Sequence, residues 1–407
     1  VSAVRATGLA GALMAAAVVY QFALMPILWN ESRGIPPIVW TTLSAGLMGA
    51  TVLALGGHRE PSAGITPWVL AFVVAYPVAC ALSYLLTEDG HPLRPAGLAH
   101  NVVLMALAGT FHYFGIAVGR HAPVRSIAVA AVATAAYVVA SRDALTLDAL
   151  YLRFEEEGRS FPYQYIGDAF AIGALLLVAR RRFDAVSVLL AAAAVSVMFE
   201  IPSRSSALFG SAALLLWILA AAPPRWRAAL GALALVAAAS THGGDLQPLF
   251  EGTRFEPIFT DRDTSAEARH EFLLHGLATI ARYPFTGRWA SEIDRFGMPG
   301  TYVHNALDVW AQGGIVPMLL LAALWLRALA LWVGLLRHDR DAALRSLPLL
   351  VFPLLSWIFA RNVGNAILFF GLGYFEALRS QALASVADAA RSGSARAKST
   401  QALRMIR

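Results

Sequence analysis

Apolar runs of about 17–25 residues recur along the whole chain, the length a helix needs to cross roughly 30 Å of hydrocarbon. They are rich in Ala and Leu and lack the strict alternation of a barrel strand. A lipid-facing backbone must satisfy its own hydrogen bonds, so these runs predict an all-α, polytopic integral membrane protein. Composition agrees: 58% of the 407 residues are hydrophobic and 14% are charged. The mean hydropathy of +0.59 leaves too little polar surface for a water-soluble protein of this size.

About twelve transmembrane helices are expected, near 7–29, 36–56, 66–86, 97–118, 124–140, 164–179, 185–200, 206–222, 226–240, 306–333, 346–360 and 363–378. The first run, Thr7 to Trp29, is too long for a cleaved signal and has no A-x-A site before a soluble domain, so it reads as a span. The single cysteine, Cys80, lies in an apolar run and permits no intramolecular disulfide. Five regions follow: 1–163 with helices 1–5 and an outer loop, 164–240 with helices 6–9, a large loop 241–305 containing short helices, 306–380 with helices 10–12, and a basic tail 381–407.

The net charge of +6 is carried almost wholly by arginine, scattered in short loops, which argues for topology and against nucleic acid. Alternate assignment puts Arg5, Arg59, Arg120, Arg125, Arg180 to Arg182, Arg225, Arg227, Arg337, Arg340, Arg345 and the tail on one side. That side holds roughly 18 Lys/Arg against about 6 acids, so the positive-inside rule makes both termini cytoplasmic. The acid-rich loops then face outward. Glu155-Glu156-Glu157 in the loop 141–162 reads as a solvated face.

The large outer loop holds the unusual chemistry. Thr264 and Glu267 form a capping-box pattern for a helix running to about Arg282, stopped by Pro284. On a helical wheel Arg269, Phe272, Leu273, Gly276, Leu277 and Ile280 share one face, with Glu271, His275, Ala278 and Arg282 opposite. An arginine centred on an apolar stripe needs an anion, a carboxylate such as Asp308, or a path to water. Arg204 follows the helix-breaking Pro202, and Ser205 or Ser206 can cap the next helix. That N-terminus, flanked by arginine, suits a diphosphate, although an ordinary cap with a snorkelling arginine has the same sequence. His304 opens the tenth expected span beside Asn305. It reads either as an interfacial polar residue or as a base that accepts a hydroxyl proton. Asp308 orients its ring if His304 is already helical; if Asn305 is the N-cap, that pairing fails.

Several signals are excluded. His270 and His275 are five residues apart, about 140° on a helix, and cannot share a metal as the zinc-protease pattern does. His100 and His112 make no ligand pair either. There is no Walker A loop, no cofactor fingerprint and no serine nucleophile elbow, so neither a cofactor nor a metal is expected.

Three segments together resemble the O-antigen ligase/O-antigen polymerase family of bacterial envelope glycosyltransferases: I-P-S-R-S-S-A-L at Ile201–Leu208, S-A-E-A-R-H-E-F at Ser265–Phe272 followed by Y-P-F-T-G, and V-H-N-A-L-D-V-W-A-Q-G-G-I-V-P at Val303–Pro317. The resemblance concerns residues 165–380. It implies an inner-membrane enzyme transferring a glycan from undecaprenyl diphosphate to an acceptor hydroxyl on the periplasmic face. The acceptor is lipid A–core for a ligase, the favoured form, or a second lipid-linked glycan for a polymerase. It further implies that Arg204 and Arg269 bind the diphosphate and that His304 is catalytic. Ser205, Ser206, Arg288, Trp289, Tyr302, Asn305, Asp308 and Arg361 complete the expected substrate contacts. The family often carries an acid before a Gly-rich turn after H-N, where this chain has Gln312-Gly313-Gly314; Asp308 is the nearest substitute. A secondary transporter or flippase of about twelve helices is the alternative, and it would place ionisable groups near mid-membrane. A non-catalytic scaffold would not require Arg204, Arg269 and His304 to converge.

Overall fold

The computed structural model describes residues 8–31, 37–55, 64–87, 92–142, 163–180, 183–201, 203–227, 264–297 and 303–391. Among these residues the structure is helical, with no strand. We number the helices α1 (Gly8–Glu31, with a π-turn at Tyr20–Leu24), α2 (Pro37–Ala54), α3 (Thr66–Leu85), α4 (Arg94–His121), α5 (Val124–Ala140), α6 (Tyr163–Ala179), α7 (Ala185–Glu200) and α8 (Arg204–Ala221). They continue with α9 (Thr264–Arg282), α10 (Ser291–Phe296), α11 (Leu307–Gly313), α12 (Ile315–His338), α13 (Arg340–Phe359) and α14 (Phe369–Arg391). Six of them, α1, α3, α4, α8, α12 and α13, are long and apolar enough to cross a membrane. Four shorter apolar helices accompany them: α2 from Val39, α5, α6 from Gln164, and α7. The chain is a helical membrane protein.

Its centre is the parallel contact of α4 with α14, made possible by missing side chains. A Cβ on Gly115 would strike the Phe370 carbonyl, and one on Gly373 would strike the His112 carbonyl. Small residues let two backbones approach where lipid provides no hydrophobic drive for helix association. At this seam Phe22 packs edge-on against Phe370 at 5.3 Å, and Phe114 lies tilted against Phe370 at 5.9 Å. Gly373→Val should therefore separate the pair and cost about 1–3 kcal/mol by overpacking, read as a lower unfolding temperature in detergent.

Buried charges at one end of the bundle are paired. Glu376 and Arg379 meet at 2.5 Å, and Glu376 also accepts from the Ile65 N–H at 3.3 Å. Arg180 donates to the Val118 carbonyl at 2.9 Å. The opposite end holds Arg94, Trp289, His304 and Arg361.

Several expected boundaries are corrected. The tenth expected span, 306–333, is two helices: Gly314, at φ +80°, separates α11 from α12. Its Cβ would strike the Phe285 carbonyl, and a Cβ on Gly287, at φ +65°, would reach the Gly314 N. The two glycines interlock the turn after α9 with the α11–α12 break, and only glycine takes both conformations without strain. Arg288 N–H donates to the Ala311 carbonyl at 2.8 Å and the Trp310 indole to the Pro284 carbonyl at 2.8 Å, closing the same joint. The last expected span, 363–378, begins late: an irregular stretch and a 3-10 turn at Ala366–Leu368 precede α14. The expected span 226–240, Glu155-Glu156-Glu157, Pro202, Tyr302 and the tail beyond 391 lie wholly or largely outside the described residues.

The apolar stripe of α9 divides between packed and exposed residues. Gly276 and Thr279 are buried while Leu277 is exposed, and His275 turns inward onto Ser291 and Phe296. Gly276 fixes this face, because a Cβ there would strike Val303.

Candidate functional site

His304 precedes α11 and is wedged between two elements. Its ring stacks on Phe272 of α9 at 6.0 Å, and a ring N–H donates to the Ala360 backbone carbonyl. That bond fixes the tautomer, so the second ring nitrogen carries the lone pair. Burial, with the charges of Arg269 and Arg361, pushes its pKa down to about 4. The imidazole is therefore neutral at pH 7, the form that can accept a proton. The charges of Arg269 on α9 and of Arg361 in the α13–α14 connection thus both act on His304.

Arg361 does not stand alone. Its Nε lies 3.2 Å from Asp168 of α6, and its Nη2 reaches Ser203 Oγ at 3.0 Å and Ser206 Oγ at 3.4 Å. Ser206 donates to Asp168 at 2.5 Å and Asn365 donates to it at 2.6 Å. This network is buried, with Asp168, Ser203, Ser206 and Arg361 each no more than 3% exposed. Arg204, half-buried, is the first residue of α8, so its neighbours Ser203 and Ser206 anchor it to Arg361. The cap is Ser203; the expected caps Ser205 and Ser206 lie inside the first turn.

A second buried cluster lies under the large loop. Gln312 donates to Glu292 at 2.5 Å and to Asp308 at 3.5 Å, while its oxygen accepts the Ala290 N–H at 2.6 Å. Two buried carboxyls share one amide, so both hold protons above their ordinary range. Burial raises Glu292 to about 7, and burial with the Glu292 charge raises Asp308. Asp308 is thus committed to this cluster. The helix begins at Leu307, whose N–H donates to Asn305 Oδ1 at 2.9 Å, so the register needed for Asp308 to orient His304 is not formed. Asn305 serves as a turn former.

Glu292 carries a pH signature. Its folded-state pKa exceeds the ordinary 4.5, so the folded protein holds a proton the unfolded chain releases, and this stability is lost as pH rises through about 7. Glu292→Gln should reduce, without abolishing, the fall in thermal stability between pH 5 and 8, Asp308 accounting for the rest. A slope as steep as that of the unaltered protein would remove Glu292 from this account.

Two expected sugar contacts have other duties. Trp289 is buried: its N–H donates to Ser83 Oγ at 2.8 Å, its indole to the Arg94 carbonyl at 3.2 Å, and its carbonyl accepts from Arg94 Nη2 at 2.6 Å. It docks the loop onto α3 and α4. Arg288 pairs with Asp294 at 3.2 Å and lies over the Tyr283 ring. No family model matches this sequence, and no curated protein matches it.

Sequence reasoning missed Asp168 and Glu292. A lone acid inside the apolar run Tyr163–Ala179 is itself a signal, because intramembrane carboxylates are retained only where paired or used. Glu292 gives no such signal; its burial depends on Gln312, twenty positions away.

Proposed function

We propose that the chain is a glycosyltransferase of about twelve membrane crossings, with both termini cytoplasmic and its site on the periplasmic face of the bacterial inner membrane. It moves a glycan from undecaprenyl diphosphate to an acceptor hydroxyl, as the resemblance implies, with lipid A–core the favoured acceptor. The observation that carries this reading is a half-buried His304 kept neutral by its surroundings and by the charges of Arg269 and Arg361, with Arg361 hydrogen-bonded to Ser203 and Ser206 at the N-terminus of α8 that bears Arg204. Cations and a helix N-terminus favour a diphosphate, and a neutral imidazole favours proton abstraction.

In the proposed step the acceptor oxygen attacks the anomeric carbon and the bond from that carbon to the diphosphate oxygen breaks. The hydroxyl proton passes to His304, and the bonding pair leaves with the lipid diphosphate, whose charge the arginines offset. Displacement inverts the anomeric centre. Arginine can supply the charge that a divalent cation otherwise would, so activity should persist in excess chelator.

Arg204→Ala and Arg269→Ala should each lower transfer about 10²–10³-fold, the scale of losing one transition-state charge contact. The test is complementation of envelope-glycan defects at matched expression. Long-chain lipopolysaccharide restored in a ligase-null strain, and lost in the Arg204, Arg269 and His304 variants, supports the ligase. Restoration only in a polymerase-null strain makes the acceptor a second lipid-linked glycan. The buried Asp168–Arg361 pair, beside an irregular stretch between α13 and α14, favours a transporter instead. Full function of all three variants would favour that reading.

A further inference from the structure

The two faces of α9 have different surroundings. One packs on Val303, His304 and Phe296 through Gly276, Phe272 and His275. The other carries, among the described residues, the Glu271–Arg295 ion pair at 3.5 Å near its start and exposed side chains beyond, and it changes character along its length. Its first turns expose Glu267, His270 and Glu271; its second half exposes Leu274, Leu277, Ala278 and Ala281, with Leu274 53% and Leu277 45% exposed. Phe285, just beyond, is 78% exposed. Exposed leucines and a phenylalanine in a loop segment outside the crossing helices require a non-aqueous neighbour.

Position identifies that neighbour. The Trp310–Pro284 bond and the close approach of the Phe285 carbonyl to Gly314 tie this end of α9 to the head of α12. There Val316 and Leu319 are 61% and 59% exposed on the most apolar of the six helices long enough to cross. Such side chains meet lipid, and Phe285 lies at the end of that surface, its carbonyl beside Gly314. Arg282 and Tyr283, with the guanidinium 5.4 Å from the ring, edge the patch as interfacial anchors do.

We propose that α9 lies aslant on the bilayer, its second half and Phe285 immersed in the leaflet at the His304 end of the bundle and its acidic start in water. This lipid contact is independent of the glycan-transfer reading. It makes the segment a monotopic element inside a polytopic protein.

The test uses Leu277→Cys, Phe285→Cys and Glu271→Cys in the full chain with Cys80→Ser, each labelled with an environment-sensitive fluorophore and reconstituted into lipid nanodiscs. Leu274→Cys replaces either apolar site whose variant fails to fold. Nitroxide placed shallowly on the acyl chains should quench the probes at 277 and 285 at least twofold more than the probe at 271, and aqueous iodide should show the reverse order. Iodide quenching at 277 and 285 without nitroxide quenching overturns the proposal, leaving a face in water. Protection from both quenchers also overturns it, meaning that protein, from this chain or a second copy, covers the face.

Discussion

Replacing His304 with alanine should reduce glycan transfer by about 10²–10⁴-fold, the range over which a positioned general base acts. His304→Gln should fall as far, because glutamine accepts a hydrogen bond but cannot take the proton. The pH profile separates a base from a packing residue. In the free protein, burial and the charges of Arg269 and Arg361 hold the imidazole near a pKa of about 4. A bound diphosphate would set negative charge against those same arginines, relieve the repulsion and raise the affinity of His304 for a proton. The base would become stronger when the donor is in place. Because kcat/KM reports the free enzyme and kcat the loaded one, the acid limb of kcat should lie at higher pH than that of kcat/KM. Coincident limbs would mean that donor charge does not reach His304. In Arg269→Ala the kcat/KM limb should move upward, since one of the depressing charges is gone.

The helical membrane architecture was legible because hydrocarbon thickness imposes its length directly on sequence. The α9 helix was legible from its start at Thr264 and its end at Arg282 before Pro284. His304, Arg269 and Arg361 were singled out individually, and the fold brings them into one field. What failed is what depends on distant partners. The break at Gly314 is invisible to hydropathy, because the apolar run continues through it; the reason for the break is Phe285 on another segment. How the α9 stripe divides between packed and exposed residues was not legible, because a wheel sorts residues by face without saying which face packs. Gly276, small enough to admit Val303, decides the packed face instead, and Leu277 is turned out. In a membrane protein the greasiest face of a helix need not be the interior one. Asp168 was passed over because a single carboxylate leaves the run Tyr163–Ala179 apolar on average, and its partner Arg361 is distant in sequence.

That carboxylate carries the second large effect. Asp168→Ala should destabilise the protein by about 3–5 kcal/mol, the cost of leaving a buried partner charge uncompensated. Arg361 is 3% exposed, and its partners Ser203 and Ser206 are hydroxyls that can accept its hydrogen bonds but not balance its charge. Asn365 would lose its acceptor at the same time. Removing both charges should be milder: the pair Asp168→Ala with Arg361→Met is expected to recover much of the loss, since a buried ion pair is worth little over an apolar replacement. Chemical unfolding in detergent of the two single variants and the double variant closes this cycle. Near-additive losses would show the charges to be independent. Strong recovery would show that the pair joins α6 to the α13–α14 connection, with stability and transfer then parting company: the double variant regains the fold but not the field that Arg361 projects onto His304. Its His304 should accordingly titrate above about 4, and any residual transfer should lose its acid limb at correspondingly higher pH.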